Sequence, residues 1–504
     1  MSSAQFSVLY STLSPVLKRL TLAASVALAV AACGTVGADF SAPNNVAGID
    51  GGYRHLPAQQ GASAARLPAQ WWSVFGDATL NHLEQTALSD NPGLKAAGQR
   101  LLQARAQAGV TRSEQGVQVG VSTAVSNSRS SANSSQGIAF GHQSISGNNY
   151  EVGASLSYEV DLFGRLRRMV EASDAQVLAS EADRDGVLLL LSSQVATTYW
   201  QLRGLDAEIA ILKGALATRH ETEDLITARF NAGLSNELDT SRARIERANA
   251  QADLHEVQRQ RNQLEHSLAT LVGASPTSIT LSAADDGALP QPPVIPVGLP
   301  ASLLAQRPDL AGSVASLRAA NAQIGVAESA FYPSVSLTGD FGFASESLRD
   351  LAKGGSRQFN IGPLALSLPI FDGGRNKANL AVAKARYDEA VDNHETRLLT
   401  ALREVEDALS DVQEKQEQGQ AQAQAKAAAA RAYLVARARY DRGVSNYLDV
   451  TDAERSALTA DRAAVQIDTQ RLLAAVSVAR ALGAGWQPSA QLAAVAQVNA
   501  KPVK

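Results

Sequence analysis

Residues 228–253 read ARFNAGLSNELDTSRARIERANAQAD, and residues 438–463 read ARYDRGVSNYLDVTDAERSALTADRA. The two stretches keep many of the same residue types at the same places, 210 positions apart. A second pair, residues 91–110 and 307–326, matches at an offset of 216. Matching over this many positions predicts an internal duplication, with two halves joined through the Pro-rich segment 290–300.

Each half predicts one helix, two strands and then two long helices. Alternating apolar and polar residues mark the four strands, over 117–126, 151–162, 334–343 and 359–370. The Ser/Asn/Gly-rich stretch 130–149 predicts a loop between the first two. The last strand changes phase at Gly362-Pro363, which predicts a β-bulge. Strands with one apolar and one polar face are typical of membrane barrels, although the strands of a soluble sandwich alternate in the same way.

The predicted helices are unusually long. Residues 165–229 contain no proline and predict about 100 Å of helix. A heptad seam runs along this stretch through Leu191, Val195, Thr198, Leu202, Leu205, Ile209, Leu212 and Leu216. Leu398, Leu402, Val405, Leu409 and Val412 repeat the seam in the second half. Such seams predict helices packed side by side in a left-handed coil, and a plain helical bundle would carry them too.

The N-terminus carries a targeting signal. Lys18 and Arg19 precede thirteen apolar or small residues, Leu20 to Ala32. The last three of these and the next residue, Val30-Ala31-Ala32-Cys33, resemble the lipobox of bacterial lipoproteins. By that resemblance Cys33 is the acylated first residue of the mature chain, and Gly34 after it favours the outer membrane. The alternative is an ordinary cleaved signal with a cysteine there by chance. No later stretch has eighteen consecutive apolar residues, so we expect no transmembrane helix.

Composition excludes several classes of protein. The chain has 504 residues, of which 45% are hydrophobic, and a formal net charge of −4, so it lacks the electrostatic footprint of a nucleic-acid binder. One cysteine excludes a disulfide framework, and seven scattered histidines supply no metal-ligand pair. Because no nucleophile elbow, P-loop or dinucleotide fingerprint occurs either, we expect no enzyme.

Four strands cannot close a membrane barrel, because single-chain barrels begin at about eight strands. An open sheet in lipid would leave unpaired backbone groups at its edges. The sequence therefore predicts that several copies of the chain build one barrel.

Six motifs together resemble the TolC family of outer-membrane efflux factors, and especially its NodT-type lipoproteins, which serve resistance–nodulation–division pumps. They are the lipobox, WWSVFGD (71–77), RPDL (307–310), AANAQIGVAESAFYPSVSLTG (319–339), LPIFDGGR (368–375) and RYDRGVSNYLDV (439–450). The resemblance covers nearly the whole mature chain. It implies an α+β membrane protein in which three copies give four strands each to a twelve-stranded barrel. Below the barrel, it implies a long coiled α-helical periplasmic barrel with a mixed equatorial belt.

The resemblance also implies a function. The homotrimer would be the outer-membrane channel of a tripartite efflux pump that exports small molecules, such as drugs or other toxic compounds. Its partners would be a periplasmic adaptor and an inner-membrane resistance–nodulation–division pump, with no cofactor other than the lipid on Cys33. The alternatives are a non-conducting helical lipoprotein scaffold and a protein-secretion exit duct of the same family.

The expected domain order follows from the signal, the repeats and the linker. It comprises a signal peptide (1–32), an acylated extended segment (33–75), repeat 1 (76–275), a Pro-rich linker (276–300), repeat 2 (301–485) and a C-terminal tail (486–504).

The tips of the two helical hairpins share four positions. These are Arg229 and Arg439, Gly233 and Gly443, Asn236 and Asn446, and Asp239 and Asp449. The glycine suits the left-handed residue that ends a helix, and the asparagine suits the N-cap of the next helix. The aspartate can bond back to that cap and favours the helix dipole, so we interpret it as structural, although the family places its entrance acids here. The arginines suit adaptor docking or pairing with the helix C-terminus equally well.

Near the tips the two halves also differ. Asp452 and Arg455 stand where the first half has Arg242 and Ile245, and their spacing of three places both on one helix face. In a trimer Asp452 would form an acidic ring at the periplasmic mouth and weight it toward cations. The resemblance implies a periplasmic gate at Tyr440, Asp449 and Asp452, and the difference between the halves adds the hypothesis that Arg455 constricts the entrance together with Asp452. The alternative is an exposed ion pair with no gating role.

Overall fold

The computed structural model describes residues 34–41, 52–55, 67–283, 288–297, 306–490 and 492. The predicted signal peptide and acylation site Cys33 lie outside the described residues. Along the described chain the elements are α1 (Ala78–Asp90), α2 (Pro92–Ser113), β1 (Gln118–Arg129), α3 (Ser135–Ala139), β2 (Ser146–Val160), α4 (Arg165–Asn231), α5 (Glu237–Leu271), α6 (Pro308–Ser329), β3 (Ser334–Ser345), β4 (Arg357–Ser367), α7 (Arg375–Asp441) and α8 (Tyr447–Ala481).

The helices reproduce the predicted duplication. Helices α4 and α7 are both 67 residues long, α5 and α8 are both 35, and α2 and α6 are both 22. The first two pairs begin and end 210 positions apart, and the third pair 216 positions apart. The plan of two strands followed by two long helices in each half is therefore confirmed, and each half has one 22-residue helix before its strands; the first half also has α1 and the short α3, which the prediction did not include.

The strands form one antiparallel sheet in the order β1-β2-β3-β4. The predicted bulge is confirmed, since Leu337 lies opposite Leu364 but Gly339 lies opposite Ile361. The predicted loop 130–149 is wrong in its middle, which forms the short helix α3 (Ser135–Ala139), and at its end, because β2 already begins at Ser146. Backbone pairing there needs no apolar side chains, and polar ones assist it across the strands, as when Asn127 Nδ2 donates to Asn148 Oδ1 at 2.7 Å.

The described residues belong to two compact units, each of which takes chain from both repeats. The first unit lies within 1–42, 103–177 and 315–391 and contains the sheet. The second lies within 43–102, 178–314 and 392–504 and contains most of the long hairpins. No described helix combines the length and the apolar composition that are needed to cross a membrane.

The heptad seams form much of the core of the second unit. The following seam residues are buried: Leu191, Val195, Thr198, Leu202, Ile209, Leu212, Leu398, Val405 and Leu409. Aromatic residues join this core at the turn Trp71–Phe75, where the ring of Phe75 lies 5.5 Å from that of Trp200. The second unit also buries Glu84 completely, and neither of its carboxyl oxygens has a hydrogen-bond partner in the described chain. Burial raises the pKa of Glu84 to about 9.

Candidate functional site

Both hairpins turn through the same backbone motif. At the first tip the N–H of Leu234 donates to the carbonyl of Arg229 at 2.8 Å, and that of Gly233 donates to Phe230 at 2.9 Å. The second tip repeats the two bonds at 3.0 and 2.9 Å. Gly233 and Gly443 have φ angles of +71° and +74°. This bond pair around a left-handed glycine is a Schellman motif, which confirms that both glycines end their helices.

Asparagine caps begin the returning helices α5 and α8. Asn236 Oδ1 accepts from the N–H of Asp239 at 2.9 Å, and Asn446 Oδ1 accepts from the N–H of Asp449 at 3.1 Å. Both predicted N-caps are therefore confirmed. The carboxylate of Asp239 does not bond back to its cap and instead accepts from Ser235 Oγ at 3.3 Å.

The two tip arginines have different surroundings. The guanidinium of Arg229 lies 5.1 Å from the ring centroid of Tyr440, a cation–π contact between the two hairpins. The ring of Tyr440 lies 5.8 Å from that of Tyr447, which is buried at the start of α8. Arg439 is exposed to solvent. Arg229 and Tyr440 thus hold the hairpins together, a contact that the sequence patterns did not indicate.

Arg455 has a partner that its spacing did not predict. Its Nη1 lies 3.9 Å from Asp452, and both side chains are more than half exposed. Glu246 on α5 is closer, because Arg455 Nε donates to Glu246 Oε1 at 3.0 Å and Nη2 contacts the same oxygen. The side chain of Glu246 is only 6% exposed. Arg455 therefore ties α8 to α5.

Glu246 belongs to a network of alternating charges whose members other than Arg455 are mostly buried. Arg219 on α4 donates from Nη1 to the carbonyl of Glu246 at 3.0 Å, and its Nη2 lies 3.2 Å from the Glu246 carboxylate. Arg219 Nε also donates to Glu454 Oε1 at 3.1 Å. Burial raises the pKa of Glu454, and the positive charge of Arg219 opposes that rise. We call Arg219, Glu246, Glu454 and Arg455 the tip network; its two positive and two negative charges join three helices.

Every member of the tip network stands where the two halves differ. The counterparts at the offset of 210 are Ala429 for Arg219, Ser456 for Glu246, Arg244 for Glu454 and Ile245 for Arg455. Comparing the halves near the tip identified only Asp452 and Arg455. The same comparison along the whole of both hairpins would have identified Arg219 and Glu246 as well.

The described residues contain no group of three or more His, Cys, Asp or Glu side chains arranged to hold a metal ion. What the tips provide is a set of charged and aromatic contacts between hairpins, together with exposed acids and an exposed arginine. Such contacts suit a conformational or docking role rather than catalysis.

Comparison with known proteins agrees with this interpretation. The family described as Outer membrane efflux protein matches residues 83–274 and 299–484. Outer membrane protein OprJ of Pseudomonas aeruginosa is 34% identical over 435 residues, which are 86% of this chain and 89% of the relative. Cation efflux system protein CusC of Escherichia coli O6:H1 is 32% identical over 419 residues, or 83% of this chain and 89% of the relative. The structure of the outer-membrane channel OprN aligns with a TM-score of 0.81 and 30% identity, covering 90% of this chain and 100% of that one.

These matches confirm the predicted family, the outer-membrane location and the prediction that the chain is not an enzyme and has no cofactor. They cover both repeats and most of the described elements. The chain therefore belongs to the outer membrane efflux protein family and is the outer-membrane channel component of an efflux pump.

Proposed function

We propose that three copies of the chain close one twelve-stranded barrel, with four strands from each copy. The edges of the sheet carry this proposal. In the described chain β1 pairs only with β2, and β4 pairs only with β3, although these edge strands are twelve and eleven residues long. Open edges of that length are an aggregation hazard in water and prohibitive in lipid. Pairing β4 of one copy with β1 of the next would remove every edge, and the resemblance to the family supports three as the number of copies.

The two faces of the sheet suit lipid outside and water inside. The register gives one face Val119, Val121, Val125, Val152, Leu156, Leu337, Phe341, Phe359 and Leu366. The other face has mostly Gly, Ser and Ala, together with the acids Glu151, Glu159 and Asp340. Much of the apolar face is exposed in the single chain, and an apolar band next to a polar face is the pattern of membrane barrel strands.

The trimer would export small toxic molecules that an inner-membrane resistance–nodulation–division pump hands over through a periplasmic adaptor. The relative CusC is named for cation efflux, which supports small solutes as the class. The hairpin tips support adaptor docking, because Leu234, Val444 and Arg439 are all exposed there. The predicted domain order and the lipid on Cys33 belong to the same proposal.

The periplasmic gate would lie at the same tips. Arg455 bound to Glu246, and Tyr440 under Arg229, hold the second hairpin against the first. Asp449 and Asp452 are exposed beside them and would form acidic rings in a trimer. Opening the mouth would require the contacts between the hairpins to loosen.

Cysteine cross-linking tests the barrel. Cysteine pairs introduced at Val121 on β1 and at successive positions of β4 should give covalent dimers and trimers on denaturing gels, because β1 and β4 are not neighbours within one chain. The control pair Val121→Cys with Ala154→Cys lies directly opposite within one chain and should give only monomers. Monomers from every β1–β4 pair would contradict the shared barrel, and purified trimers that pass no current in planar bilayers would favour the scaffold alternative.

A further inference from the structure

The segment that follows the predicted acylation site is fastened to the first unit. Residues 34–39, here called the strap, begin one residue after Cys33. The N–H of Val36 donates to the carbonyl of Phe163 at 3.0 Å, directly before α4 begins. On the side of α6, Asn321 Nδ2 donates to the carbonyl of Ala38 at 2.9 Å.

Glycines let the strap approach closely. A Cβ atom at Gly37 would lie 2.7 Å from Gly325 Cα on α6, and one at Gly164 would lie 2.5 Å from the side chain of Thr35. Real Cβ atoms do not come this near to other heavy atoms, so a side chain at either position would force the strap to shift, at Gly37 against backbone and at Gly164 against Thr35.

Arg168 on α4 clamps the strap. Its side chain is only 4% exposed. Nε donates to the carbonyl of Val36 at 3.1 Å, and Nη2 donates to the carbonyl of Gly37 at 2.7 Å and to Asp39 Oδ1 at 3.0 Å. Nη1 donates to Glu171 Oε2 at 2.7 Å. The planar guanidinium reaches all four acceptors at once, which the point charge of a lysine could not do.

The second half of the chain lacks this clamp. The counterparts of Arg168 and Glu171 at the offset of 210 are Ala378 and Ala381. Gly109, the counterpart of Gly325 at the offset of 216, has no atom within 4 Å of where its Cβ would stand. These residues therefore serve the strap and are not required by the fold that the two halves share.

The strap is bonded to an aromatic belt at the boundary between sheet and helices. We define the belt as Phe163 after β2, Phe331 and Tyr332 before β3, and Phe371 after β4. Phe163 stacks on Tyr332 with ring centroids 5.0 Å apart, and Phe331, Tyr332 and Phe371 are exposed. Aromatic side chains gather where a membrane protein passes from lipid to water.

We propose that the strap and Arg168 fix the level at which the acyl chain of Cys33 enters the membrane, and that this level is the aromatic belt. The inference rests on the proposed lipid anchor. Cys33 precedes Val36 by three residues, and three residues of chain span at most about 11 Å. So short a tether restricts the depth at which the acyl chain can enter the membrane. The acyl chain and the sheet therefore enter the lipid at the same level. Arg168 is a positioning residue that acts on the lipid only through the strap.

Photo-cross-linking of the full-length chain in cells tests this. The probe is a palmitate that bears a diazirine, incorporated metabolically and activated by light before the cross-linked peptides are mapped. In the wild type, cross-links should concentrate on peptides of the belt. In Arg168→Met they should spread away from the belt, and the amide of Val36 should exchange hydrogen about tenfold faster or more, because the strap has lost its clamp.

The adjacent arginine provides the matched control. Arg167 is exposed and pairs with Asp161 at 3.3 Å, so Arg167→Met removes the same charge from the same helix without touching the strap. Its cross-links and its Val36 exchange should match the wild type. A cross-link pattern that stays on the belt in Arg168→Met would overturn the inference, even if trimers became less stable. Absence of palmitate from the wild-type chain would overturn the lipid anchor and this inference with it. If the Val36 amide were still protected from exchange in that chain, the strap would be intact and only the lipid anchor would be refuted.

Discussion

The two helical hairpins share a backbone and differ in their charges. They have the same helix lengths, the same left-handed glycine turns and the same asparagine caps. Arg219 and Glu246 pair within the first hairpin, and Glu454 and Arg455 of the second hairpin each bind one member of that pair. The residues that the halves share build each hairpin, whereas the tip network that fastens one hairpin to the other consists of residues that differ; the shared Arg229 takes part in fastening through Tyr440, which is Phe230 in the first half. The duplicated residues account for the common backbone of the two hairpins, and residues that diverged account for the tip network between them.

Removing the Glu246 carboxylate should have the largest effect on how firmly the two hairpins are held together. Glu246→Gln leaves Arg219 with only the carboxylate of Glu454, and removing one partner of a buried ion pair costs up to about 3–5 kcal/mol. Hydrogen exchange of the tip amides should report local opening that is easier by that amount. The counterpart Ser456 is exposed, so Ser456→Ala should change the opening free energy by less than about 0.5 kcal/mol. Equal effects of the two substitutions would show that the tip network does not fasten the hairpins.

Neutralising Glu84 should have the opposite effect on stability and raise the free energy of unfolding. This carboxyl is as deeply buried as that of Glu246 but has no hydrogen-bond partner among the described residues, and burial raises its pKa from the usual value of 4.5 to about 9. Between those two values the folded chain holds one proton more than the unfolded chain, so stability falls as the pH rises through this window. Glu84→Gln removes the slope and should stabilise the second unit by about 3 kcal/mol at pH 7.

Urea unfolding between pH 5 and pH 9 measures the effect of Glu84→Gln. The variant should gain on the wild type steadily as the pH rises. If the variant is less stable than the wild type at pH 7, Glu84 has a partner in solution, and the contrast with Glu246 disappears.

Sequence patterns predicted the repeated helices and turns but did not predict the side-chain contacts between different helices. The offsets of 210 and 216 predicted the paired helices, and the phase change at Gly362-Pro363 predicted the bulge, because periodicity and turn chemistry are local. Helix-face reasoning paired Arg455 with Asp452, three residues away, because it considers only one helix. Glu246 lies 209 residues away, and only the packing of α8 against α5 brings it near. The position of Arg229 over Tyr440 was missed for the same reason.

Single substitutions at Asp452 and Arg455 distinguish the roles of the two residues in the proposed gate. If Arg455 holds the hairpins together through Glu246, Arg455→Ala alone should raise single-channel conductance as much as the double variant with Asp452→Ala. Asp452→Ala alone should chiefly weaken block by multivalent cations, because it removes acidic charge at the mouth. Asp452 is more than half exposed, so Asp452→Ala should cost less than about 1 kcal/mol of stability. Arg455→Ala should cost more, because it removes one partner of the buried Glu246 carboxylate. Unchanged conductance and unchanged block in purified double-variant trimers would eliminate this gate.

The tip arginines should give the smallest effect on stability and separate docking from closure. Arg439 is exposed, so Arg439→Glu should leave trimers and conductance unchanged and lower pump-dependent resistance, because it reverses the charge offered to the adaptor. Arg229→Glu should lower resistance and also loosen the closed state, because it loses a cation–π contact worth about 0.5–1 kcal/mol. Arg229→Lys keeps the cation over Tyr440 and should restore closure. Resistance assays in cells that carry the pump, run beside conductance of the purified trimers, distinguish the two roles. Normal resistance in the double charge reversal would refute docking at both tips and leave Arg229 with closure alone.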